Sequence, residues 1–243
     1  MEKKIFAVSD IHGHYTLLKK ALDEAGFDAE NENHLLVCCG DLFDRGHENR
    51  KVYDFVRRLK NKVLVRGNHD ERLHEILTYK RVNVYDMYNG TDVTLEEFFG
   101  EDCIGSYGEL QLPAHGKMSG KLCRLIESTV DYYETENYVF VHGWVPINKD
   151  EEWGRVLENW READEREWYS ARFSEWPSLY KTWAMIEGKT VVCGHRPTRF
   201  AIKFDESRAP NDSSIFYGDG MIAIDAGTIR SGRVNVLVIE EKF

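Results

Sequence analysis

Short apolar runs punctuate the chain, and most of them end on a polar residue of metal-ligating type. Ile5–Val8 leads to Asp10 and His12, Leu35–Cys39 to Asp41, and Val63–Val65 to Asn68 and His69. Tyr138–Val141 leads to His142, and Val191–Cys193 to His195. Runs this short and unbroken read as buried strands. Between the first three, apolar residues recur at helical spacing. Leu17, Leu18, Ala21, Leu22 and Ala25 predict a helix near 15–25; Val52, Phe55, Val56 and Leu59 one near 49–60; Leu73, Ile76 and Leu77 one near 70–78. A β-α-β-α-β order favours parallel strands, and open α/β sheets bind ligands beyond the carboxyl ends of their strands. Five loops in that position, carrying Asp, His, Asp, Asn, His and His, argue for one metal site assembled from distant sequence.

The rest of the chain is patterned differently. Residues 80–135 are short helical pieces interrupted by Gly90, Gly100, Gly105, Gly108, Pro113, Gly116 and Gly120, and read as a cap or lid over the crevice. Residues 148–183 carry Trp153, Trp160, Trp168, Trp176 and Trp183 at near-regular intervals, a helical packing stripe broken at Pro177. Strand character returns at 190–193, 199–204, 221–225 and 234–239. A single domain over residues 1–243, with two layers of mixed sheet flanked by helices and cap segments at 80–135 and 148–183, accommodates all of it.

Composition narrows the function classes. The formal net charge of -10 disfavours a nucleic-acid binder, which needs a basic face, and makes any local arginine cluster stand out. No apolar run approaches the roughly 20 residues that span a bilayer, so no membrane partner is expected. The start of the chain carries no signal-peptide pattern. With an odd count of five cysteines, this predicts reduced thiols and a cytoplasmic location. Cys38, Cys39 and Cys193 fall in predicted strands and read as core. The oligomeric state is not legible.

The ligand-bearing loops have their own chemistry. In Asp10-Ile11-His12-Gly13 a carboxylate and an imidazole two residues apart converge on one ion if the loop curls, and Gly13 permits the turn. In Gly40-Asp41-Leu42-Phe43-Asp44-Arg45-Gly46, Asp41 comes straight off its strand with two oxygens to share between two ions. In Gly67-Asn68-His69-Asp70 the adjacent amide and imidazole point apart, so that Asn68 can coordinate while His69 faces a substrate.

Together with Val141-His142-Gly143 and Gly194-His195, and in this order over about residues 10–195, these motifs resemble the metal-dependent phosphoprotein phosphatase family of calcineurin-like metallophosphoesterases. That group includes Ser/Thr protein phosphatases and symmetrical diadenosine tetraphosphate hydrolases. The resemblance implies an α/β (α+β) four-layer sandwich, two mixed sheets flanked by helices, with a helical cap. It implies one divalent ion on Asp10, His12 and Asp41, and a second on Asp41, Asn68, His142 and His195. His69, paired with Asp44, becomes the general acid, and Arg45 holds the phosphate. A second phosphate-binding arginine is expected at Arg172, with Arg161 and Arg166 as competitors. The mixed nitrogen and oxygen ligands suit Mn²⁺, with Fe or Zn²⁺ as alternatives. Two departures stand out: Asp70 where Glu is familiar, and Ser9 where many members have Gly.

The expected reaction is hydrolysis of a phosphomonoester, with phosphoserine and phosphothreonine proteins or small phosphoesters as substrates, by direct attack of a metal-bridging hydroxide. The alternative is a symmetrical dinucleoside polyphosphate hydrolase, for which Tyr107, Tyr132, Tyr133 and the Trp-rich segment could supply stacking surfaces. A non-catalytic phosphate-recognition module is disfavoured, because all six ligands plus His69, Asp44 and Arg45 are present.

Overall fold

Three parallel strands formed by the first apolar runs make one half of the molecule. β1 (Glu2–Val8), β2 (His34–Cys39) and β3 (Lys62–Val65) pair with Ile5 opposite Leu35 and Val37 opposite Val63. The computed structural model describes residues 2–113, 117–148, 154–182 and 184–242; His115, Gly116, Trp153 and Trp183 lie outside them. The crossovers are α1 (Tyr15–Glu24) and α2 (Asn49–Arg58), and α3 (Asn68–Tyr79) leaves β3. α4 (Val84–Tyr88), α5 (Thr91–Phe99) and α6 (Met118–Glu127) follow.

The second sheet begins with β4 (Tyr133–Glu134) and β5 (Tyr138–Phe140). A small hairpin, β6 (Ile147–Asn148) with β7 (Arg155–Val156), precedes α7 (Glu165–Arg172) and α8 (Trp176–Leu179). Then come β8 (Thr190–Cys193), β9 (Phe216–Gly218), β10 (Met221–Ala223), α9 (Thr228–Ser231) and β11 (Leu237–Lys242). The sheet orders are β11-β1-β2-β3 and β4-β5-β8-β10-β9. In both, the strands bearing the ligand loops are parallel, and antiparallel strands lie at the edges.

Strand parity builds the layers, because successive side chains point to opposite faces. Phe6, Val8, Leu36 and Cys38 pack on α1–α3, α5 and α6. Ile5, Ala7, Val37 and Cys39 face inward, against Phe140, Val192, Ile222 and Ile224 of the other sheet. Val139, Val141, Val191 and Cys193 in turn carry the tryptophan layer, where Trp144, Trp160, Trp168 and Trp176 are buried. Both sheets are therefore covered on both faces, which is why their strands read as continuous apolar runs. The result is a four-layer sandwich of two mixed sheets flanked by helices.

Two strand expectations change. Residues 199–204 fall largely in a 3₁₀ helix, Thr198–Lys203, whose buried positions Thr198 and Ala201 are three apart, matching that helix's period. The last strand begins at Leu237 rather than 234, because Asn235 turns inward to donate to the carbonyls of Ser213 and Ile224 at 2.7 and 3.2 Å.

Phe140 fills the layer between the sheets with no exposed surface. Phe140→Ala is expected to cost about 3–5 kcal/mol, read as a lower denaturant midpoint with an unchanged slope.

Candidate active site

The ligand loops leave their strands through left-handed backbone. Asp10, His12, Asp41, Asp44, Arg45 and His195 have φ of 51, 47, 57, 74, 69 and 63°. Such a conformation costs a non-glycine residue about 1–2 kcal/mol, and residues held this way cluster at functional sites. Interlocking bonds hold the turns. Asp10 N–H donates to the Gly40 carbonyl (3.1 Å), His12 N–H to that of Asp41 (3.0 Å), and Gly194 N–H to that of His142 (2.8 Å). The motif glycines make room: a Cβ on Gly67 would fall on the Asp41 carboxylate, and one on Gly194 on the Ser9 hydroxyl.

These turns bring all six expected ligands together. Asp41, 2% exposed, lies at the centre, with Oδ2 3.6 Å from His12 Nε2 and 3.5 Å from His142 Nε2. His12 Nδ1 donates to the Phe43 carbonyl and His142 Nδ1 to that of Cys39, each at 2.9 Å. Both imidazoles therefore turn an Nε2 lone pair toward the carboxylates. Asn68 Oδ1 stands 2.8 Å from His142 Nε2 and 3.0 Å from His195 Nδ1. Acceptors facing acceptors at these distances are a donor set for cations. Asp41, His142 and His195 present ligand atoms within 4.8 Å of one another, and so do His12, Asp41 and His69. Asp10 Oδ1 faces His12 Nε2 at 3.8 Å, while its Oδ2 accepts the His195 N–H at 2.9 Å and contacts the Ser9 hydroxyl.

The electrostatics follow from burial. Desolvation pushes His195 down to about 3 and His12 well below the ordinary imidazole value, which favours the neutral ring in both. Burial alone would raise Asp41, yet the imidazoles of His142, His69, His12 and His195 hold it below the usual carboxylate range.

His69 is arranged differently. Its Nδ1 donates to Asp44 Oδ2 at 2.7 Å, which takes that nitrogen out of coordination. Burial opposes its charged form, but Asp41 and Asp44 outweigh this and raise its pKa. Arg45 reaches between the two imidazoles, with Nη1 3.0 Å from His12 Nε2 and Nη2 3.0 Å from His69 Nε2.

Arg172 does not join this cluster. It is 2% exposed, and its guanidinium donates to Glu71 (2.8 Å), Glu165 (3.2 Å) and Asp131 (2.5 Å). Three carboxylates take up both terminal nitrogens, while Nε is buried without a hydrogen-bond partner, and the Glu71 contact ties α7 to α3. Arg161 is likewise committed, to both oxygens of Glu134. Tyr132 stacks on Trp168 and Tyr133 packs on Phe140, so both belong to the core, whereas Tyr107 is exposed.

Several supporting residues escaped the sequence reading. Thr91 and Thr94 donate to the two oxygens of Asp44 at 2.8 and 2.9 Å, a tertiary pairing with no local signal. Asp70 accepts the N–H groups of Asp41, Leu42 and Gly67 at 2.9–3.1 Å and joins the turns after β2 and β3; the shorter acid fits this close approach. Burial and the Asp41 charge raise Asp70 to about 6. Asp225, buried two residues beyond β10, repeats the strand-then-carboxylate pattern and could have been found by it.

A family model described as calcineurin-like phosphoesterase matches residues 3–218. Shewanella-like protein phosphatase 1 of Plasmodium berghei (strain Anka) is 31% identical over 154 residues, 58% of this chain and 38% of that protein. The symmetrical bis(5'-nucleosyl)-tetraphosphatase of Erwinia tasmaniensis is 43% identical over 75 residues, 30% of this chain and 26% of that protein. The matches thus span well under half of these relatives' own length. The crystal structure of a cold-active protein-tyrosine phosphatase of a psychrophilic Shewanella species superposes with a TM-score of 0.52 at 18% identity, covering 97% of this chain and 75% of that one. At that identity the likeness is one of fold.

Arg45→Gly and Arg45→Ala lose the same guanidinium, but only alanine is strained at φ 69°. Denaturant titration should find the glycine variant more stable by about 1 kcal/mol; equal stabilities would mean that the turn stores no strain. In the metal-free protein, side-chain NMR should show His69 keeping its proton above the free value of about 6.5, and Asp44→Asn should lower it. The stability this pair contributes is complete below the free value and is lost as pH rises through the folded one.

Proposed function

The chain belongs to the calcineurin-like phosphoesterase family, and from that premise we propose that it hydrolyses phosphomonoesters, with phosphoserine and phosphothreonine proteins as the first substrate class. One observation carries the reading: a buried carboxylate set between imidazole pairs, flanked by the His69–Asp44 couple and a guanidinium that touches both His12 and His69. Asp10, His12 and Asp41 would hold one divalent ion, and Asp41, Asn68, His142 and His195 the other. Mn²⁺ suits these donors, with Fe or Zn²⁺ as alternatives. When bound, such ions would supply an activated water and charge stabilisation for the displacement.

The protein's own groups do the rest. Arg45 presents a fork of donors to the phosphate oxygens. When it turns to the phosphate, His69 Nε2 is freed to carry a proton to the leaving oxygen, and Asp44 Oδ2 keeps the ring oriented and favours its charged form. Thr91 and Thr94 hold that carboxylate in turn. His69 lines a cleft of about 300 Å³ with Asn68, Tyr169 and Phe173, and this is where the leaving group would lie.

A second reading, hydrolysis of dinucleoside polyphosphates, is favoured by the similarity to a symmetrical bis(5'-nucleosyl)-tetraphosphatase at 43% identity over 75 residues. Both readings use the same site and the same in-line attack.

The metal-stripped protein, given Mn²⁺, should turn over p-nitrophenyl phosphate, and Asp41→Asn should lose at least about 100-fold in kcat while remaining folded by circular dichroism. Turnover that needs no added metal, or that survives in Asp41→Asn, would sink the proposal. Relative rates on a phosphoserine peptide and on diadenosine tetraphosphate then order the two substrate classes.

A further inference from the structure

A second cleft, of about 330 Å³, opens off the same cluster and shares no lining residue with the cleft that holds His69. It contains His12, Arg45 and His195, and beyond them Arg196, Arg199 and Arg230. Its lining thus carries four arginines against one carboxylate, Asp225, which is 3% exposed and accepts the Gly227 N–H. In a chain of net charge -10 this is a marked local reversal.

The cations are also concentrated. The guanidinium carbons of Arg196 and Arg199 lie 5.1 and 4.9 Å from the centroid of the Phe200 ring, and Lys203 Nζ lies 5.7 Å from it. Arg196 pairs with Glu175 at 3.1 Å, leaving a buried Nε without a hydrogen-bond partner. Neither Arg199 nor Arg230 has a carboxylate partner among the described residues. Like charges gathered on one short segment repel, and an anion seated among them would relieve that repulsion.

We propose that Arg196, Arg199 and Arg230 form an anion subsite for a second phosphate that stays attached to the attacked phosphorus, so that these three residues are the specificity determinants for the linear phosphoanhydrides of the second reading above. Given the hydrolytic function proposed above, substrates differ in the number of substituents on phosphorus. A phosphomonoester has one substituent, the leaving group, and that belongs in the cleft with His69. The arginine cleft is reached only by a second substituent, one that is not expelled. Its charge matches a further phosphate, and Phe200 adds an apolar face beside it.

The step balances as a hydrolysis. The water oxygen bonds to phosphorus, the bond to the bridging oxygen on the His69 side breaks, and its electron pair stays on the departing phosphate. His69 supplies the leaving oxygen with one proton, and the attacking water gives up one. Both products carry phosphate, and nothing is oxidised or reduced.

The test compares the Mn²⁺-loaded protein with the doubly substituted Arg199→Ala/Arg230→Ala variant. Both residues lie at the rim of the cleft, half-buried and exposed respectively, so the fold should persist, as thermal unfolding would check. On diadenosine tetraphosphate the double variant should lose at least about 30-fold in kcat/KM, chiefly through KM, with most of it restored by Arg199→Lys/Arg230→Lys. Turnover of p-nitrophenyl phosphate should stay within about twofold. Equal losses on both substrates, no loss on either, or a loss confined to a phosphoserine peptide with acidic flanks would overturn the proposal, the last in favour of a protein substrate. Calorimetric binding of a methylene-bridged diadenosine tetraphosphate, which cannot be cut, separates the subsite from the chemistry. Binding weakened tenfold or more in the alanine variant supports the subsite even if nothing is turned over, in which case only the hydrolytic reading fails. Unchanged or absent binding rejects the subsite.

Discussion

One buried carboxylate, Asp41, sets where the ends of both sheets meet. A buried charge is costly unless neighbouring groups compensate it, and Asp41 is 2% exposed. Its Oδ1 accepts the His69 N–H at 3.0 Å, while Oδ2 lies near His12 on one side and His142 on the other. These three histidines come from the loops after β1 and β5 and from the first turn of α3, which follows β3, so they span both sheets. Holding one carboxylate at the meeting point of two sheets therefore fixes how their strand ends must be arranged. Asp70 reinforces this by accepting the N–H groups of both Asp41 and Gly67.

That arrangement is strained. Six residues of the site occupy left-handed backbone, a conformation that persists only where surrounding structure determines it. The surroundings here are the apolar layer between the sheets, with Ile5, Val37, Phe140 and Val192 fully buried, and the carbonyl bonds that interlock the loops. A rigid scaffold carries the cost, and the functional side chains gain fixed positions. The glycines beside the ligands serve the same end, since Gly67 and Gly194 leave space that Asp41, Ser9 and Asp10 occupy.

Function then divides between two clefts that meet at the cluster. One has Asn68, His69 and three aromatic side chains, Tyr85, Tyr169 and Phe173, and is the cleft proposed for the leaving group. The other has arginines from the segment after β8 and from α9, a setting for anions. Arg45 belongs to the second cleft by position and to the first by its contact with His69, so one guanidinium spans both clefts and touches the imidazole proposed to donate the proton. Arg172 gathers Glu71, Glu165 and Asp131 and so fastens α7 against α3.

The strands, and the candidate ligands that lie beyond them, were legible in the sequence, because both are local. An unbroken apolar run announces a strand covered on both faces, and the polar residue beyond it has one place to go, the mouth of the sheet. The clustering of Asp10, His12, Asp41, Asn68, His142 and His195 followed for that reason, and Asp44, Arg45 and His69 joined it through their motifs. Asp225 follows the same rule. What only the tertiary structure decided were pairings between distant segments with no signature of their own: Thr91 and Thr94 on Asp44, Asp70 on the Asp41 loop, and the carboxylates that claim Arg172. The stretch 199–204 shows the same limit. Its apolar residues permit a strand, but no sheet edge receives it, and Thr198 instead donates to the Asp225 carbonyl and starts a 3₁₀ turn. A side chain's chemistry can be read from its type, but which partner satisfies it depends on where the chain returns in space.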